Sequence, residues 1–541
     1  MHFQAMTRSV PSTLGAPYSE VEMPRTELPS RPNHRHQPVS ESPVPLAAQQ
    51  PFSDFKPRRF AKPFCKFLTN NPTVFHACAA LGAQCAEAGY KKLSERDIWS
   101  LEKGGKYYVE RNGSSLVAFA VGDSYEPGNG AAMIAGHIDA LTAKVKPIPM
   151  KETKQGFVQL GVAPYAGAMN MTWWDRDLAV AGRVMVKENG KIVTKLVNLD
   201  EPIAKVPTLA PHFGLPALGP FNPETQMVPI VGLDNSDLDG DETKQKKHTI
   251  GPVGSFAATQ PPRLVKAIAS QLGIQSLGDI VNWELELYDL QPATLSGFDK
   301  EFLSGGRIDD KLCSWSAIQA LLGSSYASSD SPSEGSSSSI IKVVALFDDE
   351  EIGSLLRQGA RGNLLPSVIE RIVDSFASST ASSSTPRVAA AGANFAGANL
   401  ISQTYANSYL ISADVSHAVN PNFLSAYLEH HMPRLNVGPA VSCDPNGHMT
   451  TDAASTALIQ QIAEKCGTKL QVFQIRNDSR SGGTIGPFAS SQMGVRAIDI
   501  GQVQLSMHSI RATTGALDPG LGVKLWKGFF DFYEEVDAGF R

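Results

Sequence analysis

The octapeptide Phe347-Asp348-Asp349-Glu350-Glu351-Ile352-Gly353-Ser354 sets four carboxylates side by side and contains no Lys or Arg. It follows Ile340 to Leu346, a β-branched and leucine-rich run of the kind that forms a buried strand. Adjacent carboxylates repel one another strongly unless a cation sits among them. A bound metal supplies that cation economically. A solvated acidic turn is the competing explanation, and a single acidic run does not decide between them.

Three further strand ends do. Ala131 to Gly136 is a short apolar strand that delivers His137-Ile138-Asp139. Tyr409 to Ala413 ends on Asp414, with His417 one helical turn later, and Val495 to Gly501 is soon followed by Met507-His508-Ser509. Open α/β sheets bind ligands in the crevice beyond the carboxyl ends of their strands, and imidazole and carboxylate donors suit zinc and related divalent ions. Asp309, in Gly306-Arg307-Ile308-Asp309-Asp310-Lys311-Leu312, comes just before a helical face on Ile318, Leu321 and Leu322. An isolated Asp at such a place is usually a helix N-cap; among these companions it is a carboxylate able to bridge two cations. His137, His508, Asp309, Asp414, Glu350 and Glu351 suffice for a two-metal site with ions roughly 3.5–4 Å apart.

The types also divide the labour. Asp139, two residues beyond His137, can reach the imidazole in a turn, the usual way of orienting a ligating His. Glu350 and Glu351 are neighbours and point in different directions, so one can bind metal while the other acts as general base toward an activated water.

The blocks Gly136 to Asp139, Arg307 to Asp310, Phe347 to Ser354, Ser412 to His417 and Met507 to Arg511 resemble the signature blocks of the M18 metallo-aminopeptidases. Trp174 to Leu178, Thr208 to Gly214, Asp444 to Thr451 and Ser481 to Pro487 extend the resemblance, which runs over about residues 56–541 and leans toward the fungal vacuolar aminopeptidase I branch rather than the aspartyl aminopeptidases. It implies an α/β fold: a zinc exopeptidase-like catalytic domain (56–145 and 295–541) with a mixed central sheet flanked by helices. A smaller β-rich dimerisation domain (146–294) interrupts it, and residues 1–55 form an N-terminal extension. It implies hydrolysis of the N-terminal bond of peptide substrates, with two zinc ions per subunit that cobalt or manganese could replace. His137, Asp309, Glu351, Asp414 and His508 would be the ligands, Asp309 bridging. Glu350 would be the general base, Asp139 would accompany His137, and His417 would stand near the substrate carbonyl to stabilise the oxyanion. It further implies a homododecamer built from dimers, and delivery to the vacuole through the cytoplasm by a selective-transport receptor acting on the extension; a cytoplasmic address is the alternative.

Two departures bear on specificity. In aspartyl aminopeptidases the stretch corresponding to Asp444 to Thr451 resembles a Lys- and Arg-bearing segment; here it is Asp-Pro-Asn-Gly-His-Met-Thr-Thr, with His448 as its only candidate cation. A pocket without fixed positive charge favours neutral or apolar N-terminal residues such as Leu over Asp or Glu. Met171 stands before Thr172-Trp173, where the family often has a His that contacts substrate across subunits. The remaining alternatives are an aspartyl aminopeptidase and a non-enzymatic assembly or cargo protein, the latter disfavoured by retention of Glu350 beside a complete ligand set.

Other features fit quieter roles. Gly482 to Pro487 is as well explained by a tight turn as by backbone donors near substrate, and without a phosphate-loop lysine it is no nucleotide site. His430-His431 read as surface polarity, and His212 as structural. No Gly-x-Ser-x-Gly elbow supports serine chemistry. A 541-residue chain exceeds one ordinary core, and a net charge of −5 gives no reason to expect nucleic acid. The six cysteines show no paired CxxC spacing and read as free thiols. No run approaches the ~18 apolar residues of a membrane span. Residues 1–55, rich in Pro, Ser, Arg and His without an apolar h-region, are expected to be mostly disordered and not a secretory signal. Phe60 to Tyr90 is expected to be helical, Arg183 to Lys187 and Lys191 to Val197 to be strands, and Ser324 to Ser339 and Ser375 to Ala398 to be loops.

Overall fold

The computed structural model describes residues 45–47, 50–235, 250–324, 338–377, 397–480 and 482–540. Expectations for the extension up to residue 44 and for most of the two Ser-rich stretches fall outside these residues.

Nine strands form the main sheet, in the order Lys91–Leu93, Lys106–Arg111, Ser115–Val121, Ile341–Phe347, Ala131–His137, Tyr409–Ser412, Arg496–Gly501, Ala440–Cys443 and Gln471–Gln474. The four strands Ile341–Phe347, Ala131–His137, Tyr409–Ser412 and Arg496–Gly501 run parallel, so their carboxyl ends share one edge. Their side chains alternate between two cores. Ala132, Ile134, Val344 and Leu346 join Phe64, Trp315, Trp526 and Phe529, contributed by helices Ala61–Asn70, Ile308–Leu322 and Asp518–Ala538. Met133, Ala135, Val343 and Ala345 join Phe119 and, from helix Leu364–Ala377, Ile369 and Ile372. Burial on both faces makes these strands read as unbroken apolar runs, and each buried Ile or Leu contributes about 1.5–3 kcal/mol. Polar groups are consequently displaced to the edge where the four strands stop.

The helical expectation for Phe60 to Tyr90 resolves into Ala61–Asn70 and Val74–Glu87, divided at Asn71-Pro72 and restarted by Thr73, whose hydroxyl accepts the His76 N–H at 3.4 Å. Residues 50–55, expected to be disordered, instead pack: Phe52–Asp54 is a 3-10 turn, with the Phe52 ring 5.3 Å from that of Phe532. Ser375 lies within helix Leu364–Ala377, not in a loop.

A second sheet orders Lys191–Asn198, Leu178–Glu188, Ile280–Asp289, Thr142–Met150, Phe157–Tyr165 and Ile230–Leu233, all antiparallel. Its first two strands include both stretches expected to be strands. It has its own core of Trp173, Val180, Val184, Val265, Ile268, Trp283 and Leu285. A five-stranded sheet (Thr294–Ser296, Phe302–Gly305, Ala512–Gly515, Val503–Leu505, Ser416–His417) completes the molecule. His417 therefore lies on a short extended bridge to Gln504, not on a helical turn after Asp414. All six cysteines are free, and no helix among the described residues is long and apolar enough to cross a membrane.

Candidate metal centre

His137 ends its strand and is 1% exposed. Gly136 permits the close packing there, since a Cβ would lie 2.8 Å from both the Ala413 carbonyl oxygen and Ser314 Oγ. The His137 Nδ1 sits 3.2 Å from Asp139 Oδ1. Its Nε2 faces Asp309 Oδ1 at 3.3 Å, Asp414 Oδ1 at 3.7 Å and Glu350 Oε2 at 3.8 Å.

After Phe347 the chain must turn sharply. Asp349 adopts φ 64°, a left-handed conformation that Asp tolerates better than most residues. A 3-10 turn over Glu350–Ile352 follows and closes at Gly353. The neighbours diverge: Glu350 turns to His137, whereas Glu351 Oε2 lies 3.6 Å from His508 Nε2. Asp309 Oδ2 is 3.7 Å from the same His508 nitrogen, so the two oxygens of Asp309 face different histidines. Asp309 and Asp310 take non-helical backbone angles near the start of helix Ile308–Leu322, and Arg307 occupies its N-cap position. Asp309 is therefore free to face the site.

Within each of two groups, one donor atom per residue lies within 4.8 Å of the others: His137, Asp310 and Asp414, and Asp309, Glu351 and His508. The sequence does not set Asp310 apart from Asp309. Asp310 is fully buried, and its position directly after Asp309 was the only available signal.

The electrostatics fit a cation. Burial, reinforced by Asp414, Asp139 and Asp309 and opposed by His137, pushes Glu350 up to about 8. Burial likewise pushes Glu351 and Asp310 well above the usual carboxylate range and raises Asp414. Burial disfavours the charged form of His137, but Asp139, Asp309 and Asp414 outweigh it and hold the imidazole well above its ordinary value. Buried Glu351 Oε1 has no hydrogen-bond partner among the described residues. A crowd of acids that cannot all ionise, with an oxygen left unpaired, is a donor set suited to divalent zinc.

Around this set lie the orienting contacts. Asp139 also accepts the Glu350 and Glu351 backbone N–H groups at 3.3 and 3.2 Å and the Tyr165 hydroxyl at 2.7 Å. Asn170 Nδ2 donates to the His508 carbonyl at 2.9 Å, and Thr172 Oγ1 accepts the Ile510 N–H at 2.9 Å. Met171, between them, is 82% exposed. His417 packs against Phe473 with ring centroids 5.3 Å apart. Desolvation lowers its pKa, Asp309 opposing and His508 reinforcing, so its imidazole is neutral near pH 7. Buried Asp499, within strand Arg496–Gly501, is no member of either group; it accepts from Thr484 Oγ1 at 2.5 Å and from Thr450 Oγ1 at 2.9 Å, pinning the two loops that carry these threonines. His448 Nδ1 lies 3.2 Å from Asp444 Oδ2, while His212, His430 and His431 stand outside both groups.

Comparison with known proteins accords with this geometry. The model of the aminopeptidase I zinc metalloprotease (M18) family matches residues 67–530. Vacuolar aminopeptidase 1 of Saccharomyces cerevisiae is 41% identical over 482 residues, covering 88% of each chain. Aspartyl aminopeptidase of Aspergillus oryzae is 39% identical over 497 residues, covering 87% of this chain and 96% of that one. The solved structure of Chaetomium thermophilum mApe1 is 54% identical, with a TM-score of 0.79, covering 90% of this chain and all of the other. The chain belongs to the M18 zinc metalloprotease family and is a metallo-aminopeptidase, a hydrolase acting on peptide bonds.

Proposed function

We propose that this chain is a two-zinc aminopeptidase that removes neutral or apolar N-terminal residues such as Leu. The observation that carries the two-ion reading is Asp309, whose oxygens face His137 and His508 at 3.3 and 3.7 Å. His137 and Asp414 would hold one zinc, Glu351 and His508 the other, with Asp309 shared. Bound zinc supplies Lewis acidity and brings the pKa of water down toward ~7.

The residues then act in sequence. Asp139 holds His137 in the tautomer that turns Nε2 toward the centre. Glu350, ionised once cationic charge offsets its acidic neighbours, takes the proton of the attacking water and returns it to the departing amino group. Neutral His417 donates an N–H to the oxyanion of the tetrahedral intermediate. For the N-terminal residue, the 444–451 stretch offers no cation but His448, already engaged with Asp444. A second reading, release of N-terminal Asp or Glu, is supported by the aspartyl aminopeptidase relative.

The six-stranded sheet, whose strands run from Thr142 to Asp289, and its separate core support an inserted domain close to the proposed 146–294; its role as a dimerisation domain within a homododecamer is supported by the dodecamer named for mApe1 of S. cerevisiae. A vacuolar address is supported by the name of the vacuolar relative; the route through the cytoplasm and a receptor acting on the extension belong to the same proposal, with a cytoplasmic address as its alternative. The test is a panel of aminoacyl substrates for wild type and Glu350→Gln, with and without chelator. Leu should be released faster than Glu, chelation should stop turnover, zinc should restore it, and Glu350→Gln should retain zinc while losing about 10²–10⁴-fold in rate. Unchanged turnover in that variant refutes the assigned base; faster release of Glu selects the second reading.

A further inference from the structure

We propose that Tyr165, which ends strand Phe157–Tyr165 of the six-stranded sheet, is a positioning residue for the metal centre, acting through Asp139. This rests on His137 being a zinc ligand.

Asp139 is a buried hub. Its Oδ1 faces His137 Nδ1 at 3.2 Å and accepts the Glu350 N–H at 3.3 Å; its Oδ2 accepts the Glu351 N–H at 3.2 Å and the Tyr165 hydroxyl at 2.7 Å. One carboxylate thus sets the ring orientation of His137 and the backbone carrying both glutamates. Three of its four partners come from the main sheet and its loops; Tyr165 comes from the second sheet. The Tyr165 contact is also the shortest, and the same hydroxyl lies 3.4 Å from Asp349 Oδ1.

The second sheet buttresses this tyrosine. Lys144, on the neighbouring strand Thr142–Met150, sets its ammonium 4.1 Å from the centroid of the Tyr165 ring. A cation over a phenol ring is attracted to its face and also offsets the charge of nearby carboxylates. Without the hydroxyl, Oδ2 would keep only the Glu351 N–H. A buried carboxylate that loses a donor rotates to recover one, which releases His137 Nδ1 and, with it, the aim of Nε2. The ring itself packs the same way in Phe, so Tyr165→Phe isolates the hydroxyl.

The experiment uses the full chain, loaded with zinc at pH 7.5, and measures zinc affinity by competition with a chromogenic chelator. It adds kcat and KM for a Leu substrate and the unfolding midpoint of the metal-free forms. Partners of ligating histidines typically govern about 10–100-fold in metal affinity, so Tyr165→Phe should lose zinc in that range and drop in kcat more than it rises in KM, its metal-free midpoint staying near wild type. Lys144→Met, which keeps the hydroxyl, should hold zinc more tightly than Tyr165→Phe. Wild-type zinc affinity in Tyr165→Phe overturns the proposal, whatever its midpoint. His137→Ala separates the two failures: should it keep wild-type zinc content, the metal-centre reading falls, whereas its losing zinc while Tyr165→Phe does not would remove only the role of Tyr165.

Discussion

His137 and His508 reach the same carboxylate, Asp309, from opposite kinds of backbone. His137 closes a strand whose seven residues are all buried, and its side chain is 2% exposed. His508 sits in a loop at φ 62° with its side chain 53% exposed. The first is aimed by the hydrogen bond that its own ring Nδ1 makes to the Asp139 carboxylate. The loop of the second is held through its backbone, at the His508 carbonyl by Asn170 and at the Ile510 N–H by Thr172, both from the stretch before strand Leu178–Glu188. A rotamer locked by packing and a partner on the ring holds a ligand geometry more closely than a loop does. One half of the centre is thus preorganised by the sheet, and the other can yield. On the proposed two-ion reading, the ion at His137 should be the resident one and the ion at His508 the exchangeable one.

The largest effect tests that ranking directly. After dialysis against chelator, His508→Ala should keep about one zinc per chain and His137→Ala none, with turnover falling by roughly a hundredfold or more in both as the paired centre is broken. Zinc content by elemental analysis decides it, and the reverse ranking breaks the comparison.

An intermediate effect concerns pH. Glu350 and Asp348 are each pushed up to about 8, Asp310 and Asp414 are raised, and His137 stands above its ordinary value. Across the window from ordinary carboxylate values to pH 8 the folded metal-free chain therefore binds more protons than the unfolded one, so its stability falls as pH rises. The His137 contribution has the same sign, complete below about 6.5 and lost as pH climbs through its raised folded value. Metal-free protein should unfold at a lower temperature at pH 8 than at pH 6. Saturating zinc should remove or invert that difference, because metal binding displaces protons. Thermal melts at both pH values check it.

The smallest effect lies in the yielding half. Thr172→Val removes one neutral hydrogen bond to the His508 loop, about 1 kcal/mol, together with the one that Thr172 Oγ1 donates to Asn170 Oδ1. The more labile zinc should leave about fivefold faster in stopped-flow chelation while the slower phase is unchanged. Equal acceleration of both phases would show that the halves are not independent.

The preorganised half was the legible one. Apolar runs that stop at His137, Asp414 and the 348–351 acids follow from strands buried on both faces, so chemistry collects at the strand ends. Glu350 and Glu351 were expected to diverge, and the turn at Asp349 makes them do so. Tyr165, Asn170 and Thr172 carried no signal, because they act across sheets: Thr172 meets Ile510 at a separation of 338 residues. Asp310 was eclipsed by Asp309, since a doubled acid does not reveal which member faces the site. Phe52 was hidden in a Pro- and Ser-rich composition, where one aromatic contact to Phe532 outweighs the average character of the segment.

The central claim, a pair of ions joined by one carboxylate, is tested most directly by counting zinc in wild type and in Asp309→Asn, which keeps the shape of the side chain and removes its charge. Two zinc ions per wild-type chain and no more than one in the variant, with turnover lost, is the expected result; a single zinc in wild type, or two retained by Asp309→Asn, would contradict it.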